Sequence, residues 1–323
     1  MHIVIIGAGA LGSVYAAYLA RAGHEVSLVA RGDRGQALAR HGVGVTGQET
    51  FTARCSVITQ PDPSKRADLL ILATKTYDTQ SALASMRGIP VDSAFSVQNG
   101  VLKNEQLVTA FGASATLGAA SMVGGQVLAA QGDQPGAVHY NMPGPTIVGE
   151  LGGGDSPRTR QVAQAMVDAG LNAQASDRIT SVEWSKFVGW SGLSTLAIMT
   201  RLPTWRFLLD PDTALIAARV MRETAAVALR HGIELLDSGF SARMLIHGSE
   251  AEAMSLVQAH GEKLRTTAPG FRQSILQDAD RGRQLEVNET LSHTLALARR
   301  LNVYTPTLDL CCRVLRVVSR AAQ

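Results

Sequence analysis

A β-branched run, His2–Ile6 (HIVII), stops on Gly7-Ala8-Gly9-Ala10-Leu11-Gly12, and Leu11–Ala22 then keeps helical spacing with Leu11, Val14, Tyr18 and Leu19 apolar. The pattern G-x-G-x-x-G alone is weak. Set between a strand and a helix it becomes a dinucleotide-binding fingerprint. Gly7 permits the tight turn, Gly9 lets backbone approach a pyrophosphate, and Gly12 allows close packing of helix on strand, while the helix N-terminus attracts the anion. The competing reading, a glycine-rich turn without a ligand, does not account for this context. Met1–Ala20 is apolar enough to suggest a signal peptide, but it lacks a basic n-region and three glycines interrupt it.

The same periodicity continues. Glu25–Ala30, Asp68–Ala73 and Ala94–Val97 read as further strands, separated by helical stretches, which predicts βαβ units and a parallel sheet. Between Thr116 and Glu150 glycines are frequent and no long helical period appears, so strands and turns are expected, as an antiparallel extension of that sheet. Arg158–Ala169 reads as a helix and Asn172–Ser176 as a last strand. From Ile179 onward only helical patterns remain, over 179–199, 212–231, 249–265, 283–300 and 307–320, punctuated by Pro203, Pro211, Pro269 and Pro306. The expected fold is α/β: a Rossmann-type doubly wound domain over 1–177, then an all-helical domain over 178–323.

Residues at strand ends face the ligand crevice of a doubly wound sheet. After the second strand an NAD site would carry an acid for the ribose hydroxyls; here the sequence is Ala30-Arg31-Gly32. A guanidinium suits a 2′-phosphate, so NADP(H) is the expected cofactor. Asp33 is expected to cap the next helix. Lys75 follows the third strand and Gln98-Asn99-Gly100 the fourth, placing Lys75 and Asn99 toward cofactor or substrate.

Composition removes other classes. Lys plus Arg exceeds Asp plus Glu by 30 − 27 = 3, and aromatic residues are 5%, so neither a basic stripe nor a stacking platform for nucleic acid is expected. No stretch reaches the roughly 18 uninterrupted apolar residues of a membrane span. Cys55, Cys311 and Cys312 offer no disulfide framework or zinc spacing, which fits a reducing cytoplasm, and the adjacent pair is expected in a packed helix. The eight histidines form no H-x-x-x-H or H-E-x-x-H, so no metal site is expected; Asp278 and Asp280 read as helix-start acids.

Together, G-A-G-A-L-G, V-A-R-G at Arg31, T-K at Lys75, Q-N-G at Asn99, E-W-S-K at 183–186 and S-I-L-Q-D-A-D-R-G-R-Q-L-E at 274–286 resemble the ketopantoate reductase (2-dehydropantoate 2-reductase) family over essentially the whole chain. The last two motifs are the specific ones. The resemblance implies reduction of 2-dehydropantoate to D-pantoate with NADPH, in pantothenate and coenzyme A synthesis, in a cleft between the domains. It implies that Lys186 is the catalytic lysine, that Glu286 is an acid near the lysine and cofactor, and that Ser274 contacts substrate. The family's asparagines one and two helical turns after the lysine, and near the following proline, are here Trp190, Ser194 and Thr204. Lys186, Trp190 and Ser194 share i, i+4, i+8 spacing and hence one helix face. These departures keep a reductase of another 2-oxo acid in view, and beside it a non-catalytic NADPH-binding sensor. The expected partner is a small 2-oxo acid, with no nucleic acid and no membrane; a homodimer is left open.

Overall fold

The computed structural model describes residues 1–132 and 135–321. They form two compact units, one of Met1–Gln98 and Lys103–Thr180, the other of Asn99–Leu102 and the chain from Ser181 on. By compactness the main division falls at 180/181, beside the expected 177/178, and the four-residue excursion at 99–102 has no signal in composition.

The first unit holds strands β1 (His2–Ile6), β2 (Glu25–Val29), β3 (Val43–Gly47), β4 (Phe51–Ala53), β5 (Ser56–Ile58), β6 (Ala67–Leu72), β7 (Val91–Ser96), β8 (Leu117–Val127), β9 (Val138–Glu150) and β10 (Ala173–Ala175). Its helices are α1 (Ala10–Arg21), α2 (Gly32–His41), α3 (Thr79–Ala84), α4 (Leu102–Phe111, entered from the excursion) and α5 (Pro157–Asp168). One sheet is parallel with order β5-β2-β1-β6-β7. β1 and β6 are near-continuous apolar runs because both of their faces are covered. The strand order reverses between them, where Ile3 pairs with Leu69 and Ile6 with Leu72. A ligand crevice belongs at the carboxyl ends of strands at such a reversal.

Apart from one parallel bridge from Thr116 to Ala94 of β7, the 116–150 segment does not extend this sheet. β8 and β9 pair antiparallel, and β9 takes β3 and β10 as parallel neighbours, building a second sheet of order β10-β9-β3-β4 with β8 on β9. β3 (Val43–Gly47) pairs with β9 over Val138–Tyr140. α1 is fixed against this second sheet. Tyr15 is fully buried and its hydroxyl bonds Ser121 Oγ at 3.0 Å and Thr146 Oγ1 at 2.5 Å. Burial pushes this phenol up to about 12.

The second unit is helical: α6 (Ile179–Thr200, from Ser181 on), α7 (Thr204–Leu209), α8 (Pro211–Arg230), α9 (Ala242–His247), α10 (Glu250–Thr267), α11 (Ser274–Asp280), α12 (His293–Arg300) and α13 (Pro306–Ala321). The starts are written in the sequence. Asp210 accepts from the backbone N–H of Asp212 and Thr213 with Pro211 in the first turn of α8. Ser249 and Glu252 form a reciprocal capping box on α10. α6 is covered on nearly all sides; at Gly192 an added Cβ would lie 2.9 Å from the Ala217 carbonyl oxygen of α8, so glycine lets the two helices approach closely.

Three expectations change here. The 283–300 helix begins later: Gly282, at φ +62, ends α11, residues 283–287 are irregular, and one π-turn over Asn288–Ser292 leads into α12. Asp278 and Asp280 lie in the last turn of α11, not at a helix start; Asp280 pairs with Arg201 and Arg272. Asp33 does not cap α2, because Arg31 holds the N-cap position and Asp33 lies inside the first turn, where its charge favours the helix dipole. Among the described residues no helix is long and apolar enough to cross a membrane.

Candidate active site

In the first unit the fingerprint loop joins β1 to α1. Gly7 has φ +107, and a Cβ there would press on the Ala73 and Thr74 backbone at 2.9 Å. A Cβ at Gly12 would overlap the Gly7 carbonyl oxygen. These two glycines keep β1, α1 and the end of β6 in contact. Gly9 differs, since a Cβ there would meet nothing within 4 Å. Its open side adjoins the N-terminus of α1, which no side chain caps. Free N–H groups and the positive end of a helix dipole beside open space suit a pyrophosphate.

A cavity of about 280 Å3 lies here, lined by Gly7, Ala8, Ala30, Arg31, Arg34 and Thr74, among others. Exposed Arg31 stands at the end of β2, where a 2′-phosphate would be met. The Asp78 carboxylate also lines the cavity, but from the turn after β6 and not from the β2 end where an NAD-type acid stands. The residues present therefore fit a dinucleotide, and Arg31 fits one with a 2′-phosphate. Gly9, Ala10, Leu11 and Gly12 lie outside the lining of this cavity, as does half-buried Lys75, which follows its wall residue Thr74.

Sequence reasoning missed two cations. Arg34, one turn into α2, lines the cavity and donates from Nε to the Ala8 carbonyl at 2.7 Å. Lys103 is almost wholly buried. Its ammonium donates to the Ser96 and Gln98 carbonyls at 3.1 and 3.2 Å and to the Ala119 carbonyl. Gln98 is buried too, giving Nε2 donors to the Thr74 carbonyl at 3.1 Å and Thr79 Oγ1 at 2.8 Å. Lys103 and Gln98 thus fix the ends of β6 and β7 just before Asn99.

In the second unit Asn99 and Lys186 meet. Lys186 Nζ, on α6, donates to Asn99 Oδ1 at 3.3 Å. Gly100, at φ +86, lets the excursion lie against the π-turn, where its Cβ would be 3.0 Å from Thr290 Cγ2. Glu286 is buried on the approach to that turn, and Thr290 Oγ1 donates to its carbonyl oxygen. Ser274 is exposed at the first position of α11. Trp190 is 9% exposed and stacks on Phe187 at 5.6 Å, within a core that includes Ile198, Leu291 and Cys311. Ser194 and Thr204 are fully buried, and their hydroxyl oxygens have no hydrogen-bond partner among the described residues. Cys311 and Cys312 lie in the α13 core, where burial pushes the Cys311 thiol up to about 11.

A doubly wound sheet with this glycine loop, joined to a helical unit carrying a lysine–asparagine pair, defines the class of dinucleotide-dependent oxidoreductases. The profile of the ketopantoate reductase PanE/ApbA family matches residues 3–153, and that of its C-terminal part matches 178–319. The chain belongs to this family and is an oxidoreductase of the 2-dehydropantoate 2-reductase type, using a nicotinamide dinucleotide. It is 29% identical over 308 residues to a 2-dehydropantoate 2-reductase of Pyrococcus abyssi, covering 95% of this chain and 94% of that one. A PanE/ApbA family ketopantoate reductase from Ralstonia eutropha JMP134 is similar along the full length of both chains, with a TM-score of 0.83 and 25% identity. D-mandelate dehydrogenase, solved with NADH and anilino(oxo)acetate, shares the fold at a TM-score of 0.85 and 19% identity, covering 100% of this chain and 99% of that one.

Proposed function

We propose that this chain reduces the 2-oxo group of 2-dehydropantoate to give D-pantoate, with NADPH as reductant, as a step toward pantothenate and coenzyme A. The observation that carries the reading is the Lys186–Asn99 hydrogen bond. Bound dinucleotide supplies a hydride to the keto carbon. Negative charge then builds on the keto oxygen. The Lys186 ammonium stabilises that charge and gives the oxygen its proton. Asn99 Oδ1 accepts a hydrogen bond from Nζ, which orients the ammonium. Glu286, buried in the same unit, is the acid of the site in this reading. Ser274 is the substrate contact. Arg31 selects the 2′-phosphate, and the open backbone at Gly9 with the α1 N-terminus receives the pyrophosphate.

A second reading, a reductase of another 2-oxo acid, is favoured by one observation. The family's amide one turn after the lysine is replaced by Trp190, which is packed against Phe187. A site that bonds a substrate hydroxyl can reject the analogue lacking it by about 10⁴–10⁵-fold, because its polar groups go unpaired. With fewer amides, the kcat/KM advantage of ketopantoate over 2-oxoisovalerate is expected below that range. The test measures both 2-oxo acids with NADPH and NADH, on the native protein and on Arg31→Ala. NADPH preference that falls in Arg31→Ala supports the cofactor reading; equal use of both cofactors by the native protein contradicts it. A full ketopantoate advantage selects the first substrate reading, and a small one selects the second.

A further inference from the structure

An arginine in the wall of a nucleotide cavity would ordinarily be assigned to a phosphate. The donors of Arg34 are directed elsewhere. Nε donates to the Ala8 carbonyl at 2.7 Å, Nη2 to Ser13 Oγ at 3.1 Å and Nη1 to the Gly136 carbonyl at 3.1 Å. Ser13 Oγ in turn donates to the same Ala8 carbonyl at 3.3 Å. Guanidinium, serine hydroxyl and carbonyl therefore close a ring. The ring ties the first turn of α2 to the fingerprint loop and the first turns of α1, and Gly136 ties in the segment leading to β9.

The consequence follows from peptide geometry. In a planar trans peptide the C=O and the next N–H point in opposite directions. Holding the Ala8 carbonyl toward Arg34 aims the Gly9 N–H away from it. Gly9 is the N-cap residue of α1, its outer side is open, and no side chain competes for the helix N–H groups. We infer that Arg34 is a positioning residue: it locks the Ala8–Gly9 peptide in the orientation that presents backbone donors to the pyrophosphate of a dinucleotide, and it does not read the 2′-phosphate. The planar fork is needed for this, because it reaches three acceptors in fixed directions, whereas an ammonium is a point charge. Arg31 and Arg34, three residues apart on one cavity, then have different tasks: selection between cofactors, and affinity for both.

This inference rests on the dinucleotide-binding reading. The experiment is calorimetric titration of NADPH and of NADH into the native protein, Arg34→Lys, Arg34→Gln and Ser13→Ala, with a thermal melt of each ligand-free protein. The expected result is a loss of about 10-fold for both cofactors in each Arg34 variant, in equal proportion, as one charge-assisted hydrogen bond is worth. Ser13→Ala, which removes one neutral member of the ring, should weaken both cofactors equally by about 3-fold. Native-like NADPH affinity in Arg34→Lys would overturn the inference, since charge alone would then suffice. A loss confined to NADPH would also overturn it and make Arg34 a 2′-phosphate ligand. If the Arg34 variants do not fold, Ser13→Ala decides: equal weakening supports the lock, and no change removes it. A native protein that binds neither cofactor refutes the dinucleotide reading itself; native binding with unaltered variants refutes only the lock.

Discussion

The two units build their sites from different material. In the first, the groups proposed to meet the dinucleotide are mostly backbone, the N–H groups at the α1 N-terminus and the open Gly9 with the Ala8 carbonyl turned to Arg34, and Arg31 is the side chain beside them. In the second the proposed groups are side chains: the hydrogen-bonded Lys186 and Asn99, with Glu286 and Ser274. A backbone site constrains residue type through space. At Gly12 there is no room for a methyl group, and at Gly7 the positive φ excludes most residues. A side-chain site constrains only chemistry, so one helix can carry Trp190 and Ser194 one and two turns after Lys186 and still pack. The first site therefore reports its ligand class, while the second reports its reaction more clearly than its substrate.

The sharpest way to separate the two is Lys186→Ala. It should lower kcat by about 10²–10⁴-fold, the usual contribution of a positioned acid, and leave the NADPH Kd unchanged. Steady-state kinetics with a parallel titration checks this. A near-native kcat would remove Lys186 from the chemistry. Trp190→Asn comes next. Its indole is core material, so chemical denaturation should show a loss of ~3–5 kcal/mol, the range for deleting a buried aromatic side chain. An unchanged stability together with a raised ketopantoate preference would return Trp190 to the substrate.

Smaller effects divide the fingerprint itself. Gly12→Ala should destabilise the ligand-free protein by about 1–3 kcal/mol or more, through overpacking against the Gly7 carbonyl. Gly9→Ala should melt like the native protein yet bind dinucleotide less tightly, since its methyl group projects into the open side. If both variants behave alike, the division of labour between these glycines is wrong. The smallest effect concerns Cys311. With its thiol raised to about 11, it is protonated at neutral pH, and thiolate forms only as pH climbs toward that value. Alkylation of the folded protein at neutral pH, followed by peptide mass analysis, should leave Cys311 unmodified; rapid labelling would contradict the core placement.

The parts legible in sequence are those where local pattern and tertiary need coincide. β1 and β6 are near-continuous apolar runs because both faces are covered, and the α8 and α10 starts carry their own caps. Short strands such as β4 and β5, three residues each, are held by register with neighbours and not by their own periodicity. The second sheet was missed for the same reason, since the pairing of β3 with β9 joins residues distant along the chain. Within the site, Arg31 was visible because a strand end is a fixed address. Arg34 and Lys103 were not: a charge in a helix usually faces water, and only the fold shows these two directed at backbone carbonyls. Arg34 could have been suspected from its place one turn after Arg31 at the same strand end. Lys103 left no comparable signal.

The most direct test of the whole reading is a balance measurement on the native protein. NADPH and 2-dehydropantoate are mixed, NADPH oxidation is followed by absorbance, and the product is resolved on a chiral column. The expected result is one D-pantoate formed for each NADPH oxidised, with Lys186→Ala slow under the same conditions. A native protein that binds NADPH but oxidises it with no 2-oxo acid would contradict the assignment of the second unit and leave only a dinucleotide-binding protein.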